Sequence, residues 1–526
     1  NRLRTLFQKP DLVAGIAALT EDQILLLNTG CDMIKNCIFA DSRHIPKSEF
    51  KGSPFERAVS SESILRINNT RDDPWHREKG EKAGFTGIKS MLIAPLFYQG
   101  QCIGTMDLGL PEARGFSPMA ELLLDQLRPI FALTVKKSLD ELDNQVQRVI
   151  KQECTAIHPA VEWRFRKAAF QHLEDINLGR AAEIEPIVFP EVYSLYGVSD
   201  IRGSSLERNK AIASDLRAHL DLAHNVLLAA SQCRPMLLVQ ELMHRLEDYR
   251  NRINTGLDSG DDLSVIDFLS REVEPLFSLL NRFGPEVQGA IDKYRAALDP
   301  KVGTVYSLRK DFEDSVSMLN DHLISYLDQE EAELQETLPH YFERHKTDGL
   351  DYLMYIGQSL LENGGYHPAY LKDFRIWQLK TACAMAGLAE HFKSSLKIPL
   401  DIAHLILVQN NPLSIRFRYD EKRFDVDGAY DVRQEIIKSR LDKAEIKDSG
   451  ERLTQPGRVA VIYSSRGEAK EMKQHIDYLR AKGYFKGETE QLRLTDLPGV
   501  QGLKALRAEV NLESKALAEK IGRLAA

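Results

Sequence analysis

The chain reads as a multidomain α+β protein, and three observations carry that reading. Two short β-rich runs, SMLIAPLFY and QCIGTMDLGL, form an expected hairpin over 90–110. Residues 205–346 keep apolar positions at helical spacing with few interruptions. After 346, strand-like and helix-like segments follow one another as in a small α+β domain with one sheet and helices on one side. At 526 residues the chain is too long for a single core. The expected division is 1–150, an antiparallel sheet with helices; 151–346, a helical connector or bundle; and 347–526, an α+β domain closed by a helix.

Residues 1–30 look helical, because Leu12, Ile16, Leu19, Ile24, Leu25 and Leu27 keep a loose helical period. From Cys31 to Ile67 polar text ends in one short strand, SILRIN, and the charged, Gly-rich stretch 68–87 is a loop with at most a helical turn. Trp75 and His76 are its chemically distinctive residues. The hairpin turns at Gln99-Gly100, where Gly accepts a positive φ without strain. Pro95 brings no amide hydrogen, so the first strand is expected to be an edge, or irregular, at that point. From Pro118 to Leu173 the chain is nearly all helix, broken at His158-Pro159. Heptad-like spacing through Leu133, Leu139, Leu142, Val146 and Val149 makes this helix long enough to leave its domain.

An aromatic, Pro-containing stretch from 183 leads into Asp200-Ile201-Arg202-Gly203-Ser204 and a helix. Ser204 and Glu207 fit a capping box. Arg202 beside such a helix start suits an anion such as phosphate, the plainer alternative being a capped helix with Arg202 paired to an acid. The helical region breaks at 255–262, 283–286 and 298–304, where Gly, Pro and Asp cluster. Beyond it come a helix at 371–392, strands at 400–409 and 413–427, and a helix at 429–446. A strand at 458–464, a helix at 468–485 and a strand at 491–497 follow, then a last helix whose first half also reads as strand.

The net charge of −8 is spread along the chain, so no general nucleic-acid footprint is visible. No apolar run approaches the roughly 20 residues of a membrane span. Six scattered cysteines suggest reduced thiols in a cytoplasmic protein. The chain starts at Asn1 rather than Met, as an ordered fragment of a longer protein would, so the lack of a leader weighs little.

Nucleotide-binding glycine motifs, a nucleophile elbow and C-x-x-C are absent from the sequence. His340 and His345, with Glu343 between them, miss the i, i+4 spacing of a helical zinc pair, and Pro339 suggests a helix start there. Asp425 and Asp427, two apart on an expected strand, project from one face and could hold Mg²⁺. Against that, Asp427-Gly428 is turn chemistry, and Lys422 and Arg423 are at hand as ion-pair partners.

The run Ser90, Ala94-Pro95-Leu96, Gly100, Ile103-Gly104 and Phe116-Ser117, with the helix after it, resembles the second half of a GAF domain. The resemblance implies a sensor-type module whose pocket is bordered by 68–87, which makes Trp75 and His76 candidate ligand residues beside a plainer reading as loop packing. It also implies that the long helix dimerises or transmits a signal. No bilin-type Cys-His neighbours and no complete cyclic-nucleotide signature accompany it. Blocks at 189–209, 340–360, 423–444, 451–464 and 496–507 are similar to a family of large, uncharacterised GAF-domain proteins of Bacteroidetes bacteria, which brings no reaction or ligand with it. The resulting expectation is a non-catalytic sensory or scaffolding protein, homo-oligomeric through its helices, with an unidentified small molecule or partner and no assigned cofactor. Its candidate ligand residues are Trp75, His76, Arg202 and Ser204. The alternative is a metal-dependent nucleotide-processing enzyme using Asp425 and Asp427.

Overall fold

The computed structural model describes residues 2–19, 23–27, 43–46, 51–79, 87–153, 157–177, 183–256, 260–427, 444–496 and 502–524. Backbone contacts divide the chain into two units, residues 1–187 with 417–423, and residues 188–416 with 424–526.

In the first unit a short helix, α1 (Arg2–Phe7), leads into an antiparallel sheet. Its strands are β1 (Val13–Leu19), β2 (Gln23–Leu27), β3 (Arg43–Pro46), β4 (Leu65–Ile67), β5 (Ser90–Tyr98) and β6 (Gln101–Leu110), in the order β3-β2-β1-β6-β5-β4. The helix expected over 1–30 is therefore corrected beyond Phe7. Successive Ala17 and Ala18 are both buried, and a strand covered on both faces shows no period-two alternation to distinguish it from a helix.

The expected hairpin is present, with Gln99 and Gly100 at φ 50° and 82°. Two positive φ values match the right-handed twist of the flanking strands. Pro95 pairs with Thr105 of β6, and the pairing of β4 stops at Leu65 opposite Ile93, so the missing N–H lies past the end of β4. On one face of this sheet Leu92, Ala94, Leu96, Met106 and Leu108 pack in a core with Leu124 and Val135 of α4 (Pro118–Glu153, following α2 and α3 below). On the other, Met91 and Ile93 pack with Phe55, Ala58 and Trp75. Phe55 and Ala58 belong to α2 (Pro54–Ser60) and Trp75 to α3 (Pro74–Lys79), both started by a Pro at the first helical position, where no donor is lost. Helix α5 (Pro159–Asn177) follows the expected break.

A nine-stranded sheet belongs to the second unit except for residues 417, 418 and 423 at the ends of β11 and β12. Its strands are β7 (Val188–Arg202), β8 (Tyr341–Lys346), β9 (Leu350–Ile356), β10 (Asp401–Leu407), β11 (Leu413–Arg418), β12 (Arg423–Val426), β13 (Arg458–Tyr463), β14 (Phe485–Arg493) and β15 (Lys504–Val510). The main path runs β12-β11-β7-β10-β13-β15-β14, and β9 pairs with both β7 and β8. β10 and β13 are parallel, consistent with their near-continuous apolar text.

Several expectations change here. The aromatic stretch after 183 is a 15-residue strand rather than a lead-in. His340 and His345 border or lie in a strand, not a helix start, and 413–427 forms two strands instead of one. The first half of the expected last helix is β15. Of the helix expected over 429–446, residues 429–443 lie outside the described residues, and Glu445 and Ile446 make β-bridges to Arg452 and Leu494.

Helices α6 (Ser204–Cys233), α7 (Leu237–Thr255), α8 (Asp261–Phe268), α9 (Phe277–Leu280) and α10 (Pro285–Ala297) share one core that includes Leu220, Val226, Leu242, Phe268 and Ile291. Helices α11 (Leu308–Thr337), α12 (Pro368–Lys393), α13 (Arg466–Ala481) and α14 (Lys515–Leu524) contribute residues to a second core with the sheet. Leu319, Leu323 and Leu327 of α11 and Met472, Ile476 and Leu479 of α13 supply helical-period stripes to it. Each such fully buried side chain contributes roughly 1.5–3 kcal/mol. The molecule is thus a multidomain α+β protein with an antiparallel sheet in its first part.

Candidate functional site

The strongest site chemistry in the first unit lies on a residue that the pattern of its own strand hides. Asp107 is on β6, opposite Gly15 of β1 and Ile93 of β5. Cross-strand partners share a face, so its carboxylate projects with Ile93 into the side covered by α2 and α3. It lies directly over Gly15, where a Cβ would approach its Oδ2 to 2.6 Å. Any side chain at position 15 would therefore displace the carboxylate. Burial pushes the Asp107 pKa up to about 6, and its own backbone N–H offsets part of that rise. No ion pair or side-chain hydrogen bond holds it among the described residues.

Met91 lies one diagonal step away on the same face, at roughly 7–8 Å along the sheet. Its sulfur is 3.1 Å from His76 Nε2, and His76 Nδ1 is 3.3 Å from Asp73 Oδ1. Asp73 also accepts the backbone N–H groups of Trp75 and His76, at 3.1 and 3.2 Å, and so caps the first turn of α3. Arg57 of α2 completes the set by an ion pair with Asp73. Burial acts to raise the Asp73 pKa, but the Arg57 and His76 hydrogen bonds outweigh it and hold the group below its usual value. Burial dominates at His76 and lowers its pKa despite Asp73, which favours the neutral ring. Trp75 packs edge-on against Phe55, with ring centroids 6.1 Å apart.

Trp75 and His76 thus sit side by side in the layer that covers the Asp107 face. The arrangement offers apolar and aromatic walls, a neutral imidazole and one poorly compensated carboxylate. That combination suits a group which donates hydrogen bonds or carries positive charge.

The other sequence candidates are dispersed. Arg202 ends β7 and lines a separate cleft of the second unit, described below. Ser204, read as a helix cap, is the first residue of α6; Gly203 holds the cap position with φ 71° and no side-chain cap bond. The Ser204 hydroxyl instead donates to Asp348 Oδ2 at 3.0 Å, so the expected capping box is corrected. Asp425 and Asp427 project opposite to buried Phe424 and Val426 of β12. Asp427 is ion-paired with Arg416 at 3.1 Å, a cation already on the carboxylate that the metal reading would use. Among the described residues no group of three or more metal-ligating side chains forms.

Sequence reasoning missed Asp107. The available signal was an acid, sharing a strand face with Thr105, within the otherwise apolar run IGTMDLGL.

Comparison with known proteins places a GAF domain at residues 12–133. Among solved structures the chain is similar to the GAF domain of a two-component sensor histidine kinase from Bacillus halodurans, at 18% identity over 26% of this chain and 86% of that one, with TM-score 0.20. It is also similar to a type II free methionine-R-sulfoxide reductase from Thermoplasma acidophilum, at 17% identity over 26% of this chain and 88% of that one, with TM-score 0.20. No curated protein matches the chain. No described helix is long and apolar enough to cross a membrane.

Proposed function

We propose that the GAF domain is the sensory part of a non-catalytic cytoplasmic scaffold, and that it takes a small ligand with an amine, amidine or similar donor group against Asp107. The observation that carries this reading is the Asp107 carboxylate itself, seated over Gly15 with its pKa raised by burial. A donor ligand supplies a partner that none of the described residues provides. Trp75 and His76 form part of the wall, and His76, held neutral, adds no competing positive charge.

The output runs through α4. Met119, Leu122, Ile130 and Leu133 of that helix are 70%, 53%, 62% and 59% exposed. At 100° per residue these four fall within one narrow stripe, which suits the same stripe of a second copy in a homodimer.

Native mass spectrometry of the full chain tests the proposal. The expected result is a dimer whose retained ligand, or whose binding of an added cationic amine, is lost in Asp107→Asn. Retention of the same ligand by that variant, or a preference for carboxylic acids over amines, sinks the Asp107 reading.

A further inference from the structure

At one end of the second unit's sheet, where β7 and β15 finish and β13 and β14 begin, lies a cleft of about 550 Å³. Its charged lining is Arg202, Arg458, Lys486 and Glu509. Register explains the grouping: Glu509 of β15 is flanked by Arg458 on β13 and Lys486 on β14, so the three form a row across adjacent strands. Lys486 pairs with Glu509 at 3.1 Å, and Arg458 pairs with Glu490 at 3.0 Å. Arg202 stands apart, because its Nη1 is buried and has no hydrogen-bond partner among the described residues.

The charge on Arg202 is poorly accommodated. Burial and the positive charge of Arg452 both act against it, and Asp200 offsets this only in part. A guanidinium keeps its proton under such stress, so the relief available to it is an anion rather than neutralisation. The cleft also has an apolar side, formed by Pro456, Val510 and Leu512. Pro456, Gly457 and Leu512 are shared with a smaller cavity of about 150 Å³ lined in part by Ala386, Leu400 and Ile402.

We propose that this cleft binds a small organic phosphate, with the phosphoryl oxygens on Arg202 and the Arg458–Lys486 row and the organic part against Pro456 and Leu512. A phosphate fits better than a single carboxylate because it offers a second charge and a third acceptor oxygen to the three cations. The volume lies within the range of small-molecule sites and exceeds what an inorganic ion would fill. The site is independent of the GAF reading, since every lining residue belongs to the second unit.

Isothermal titration calorimetry of the full chain with ribose 5-phosphate and with inorganic pyrophosphate tests it, with citrate as a carboxylate control. The wild-type protein binds both phosphates, ribose 5-phosphate more tightly than pyrophosphate, each more weakly as salt rises, and citrate more weakly than either; pyrophosphate binding as tightly as ribose 5-phosphate would overturn the organic assignment. Arg202→Gln lowers phosphate affinity by about tenfold, the loss expected for a charge-assisted bond. Arg202→Lys keeps the charge without the fork and lies between the two. Glu509→Gln removes the opposing carboxylate and raises affinity, a gain that misfolding does not mimic. Absence of binding by wild type, unchanged affinity in Arg202→Gln or Glu509→Gln, or citrate binding as tightly as the phosphates would each overturn the proposal. Asp107→Asn leaves phosphate binding unaltered, which separates this result from the fate of the sensor reading.

Discussion

Asp107 and Asp73 are two acids of one domain whose surroundings drive them in opposite directions. Asp107 has its folded pKa raised to about 6, so the folded state takes up a proton before the unfolded state does. Its charge therefore costs stability above pH 6, and that cost fades as pH falls toward the unfolded value near 4. Asp107→Asn should stabilise the ligand-free GAF domain by about 1–3 kcal/mol at pH 7.5, and by little at pH 4. Thermal melts across that range check it, and an equal effect at both pH values refutes the electrostatic account. Asp73 behaves conversely: its folded pKa is lowered, so its stabilisation is present above the unfolded value and disappears as acid protonates it. Trp75 and His76 were legible as distinctive residues because a Trp-His pair in a charged loop stands out. The connection of His76 to Met91 was not, since a contact between residues fifteen positions apart in sequence leaves no periodic trace.

At the scale of elements, helix ends separate a sequence pattern from the structure that uses it. Ser204 and Glu207 carry the capping-box spacing without the box, because Gly203 takes the left-handed cap and Asp348 engages the serine. The box does form on α13, where Ser465 accepts from the Glu468 backbone N–H. Glu468 is buried, and its carboxylate accepts from the backbone N–H groups of Asn410, Ser464 and Ser465 and from the Ser464 hydroxyl. It therefore joins the ends of parallel β10 and β13 to the start of α13. Glu468→Ala removes the charged acceptor that these four donors share and should cost about 1.5–3 kcal/mol, against about 1 kcal/mol for Ser465→Ala. Urea unfolding of the two variants gives the ratio, and equal losses would show that Glu468 serves only as a cap. On α4 the exposed stripe gives a different expectation. Replacing Ile130 and Leu133 with Glu places charges in the seam, and sedimentation should report a monomer with the GAF fold intact. A variant that remains dimeric moves the interface elsewhere.

Across the whole molecule, local patterns were a better guide to element type than to which segments share a core. β7 is separated by the helices α6 to α11 from β8 and β9, yet it pairs with β9 and β10 in one sheet. Strand pairing over such distances leaves no local signal, so the helical text dominated the reading of 151–346. The short segment 417–423 is a further case. It belongs with residues 1–187, where Phe417 packs edge-on against Phe165 at 4.9 Å and its N–H donates to the Ile187 carbonyl. A reading from local pattern alone assigns it to the C-terminal domain. Phe417 is 7% exposed, and Phe417→Ala should remove about 3–5 kcal/mol from the unit that holds it. Calorimetry of the full chain distinguishes the units if a GAF ligand raises one transition and an organic phosphate raises the other. Phe417→Ala should then lower the transition that the GAF ligand raises. A drop in the phosphate-sensitive transition instead would assign Phe417 energetically to the second unit and make 1–187 a continuous folding unit.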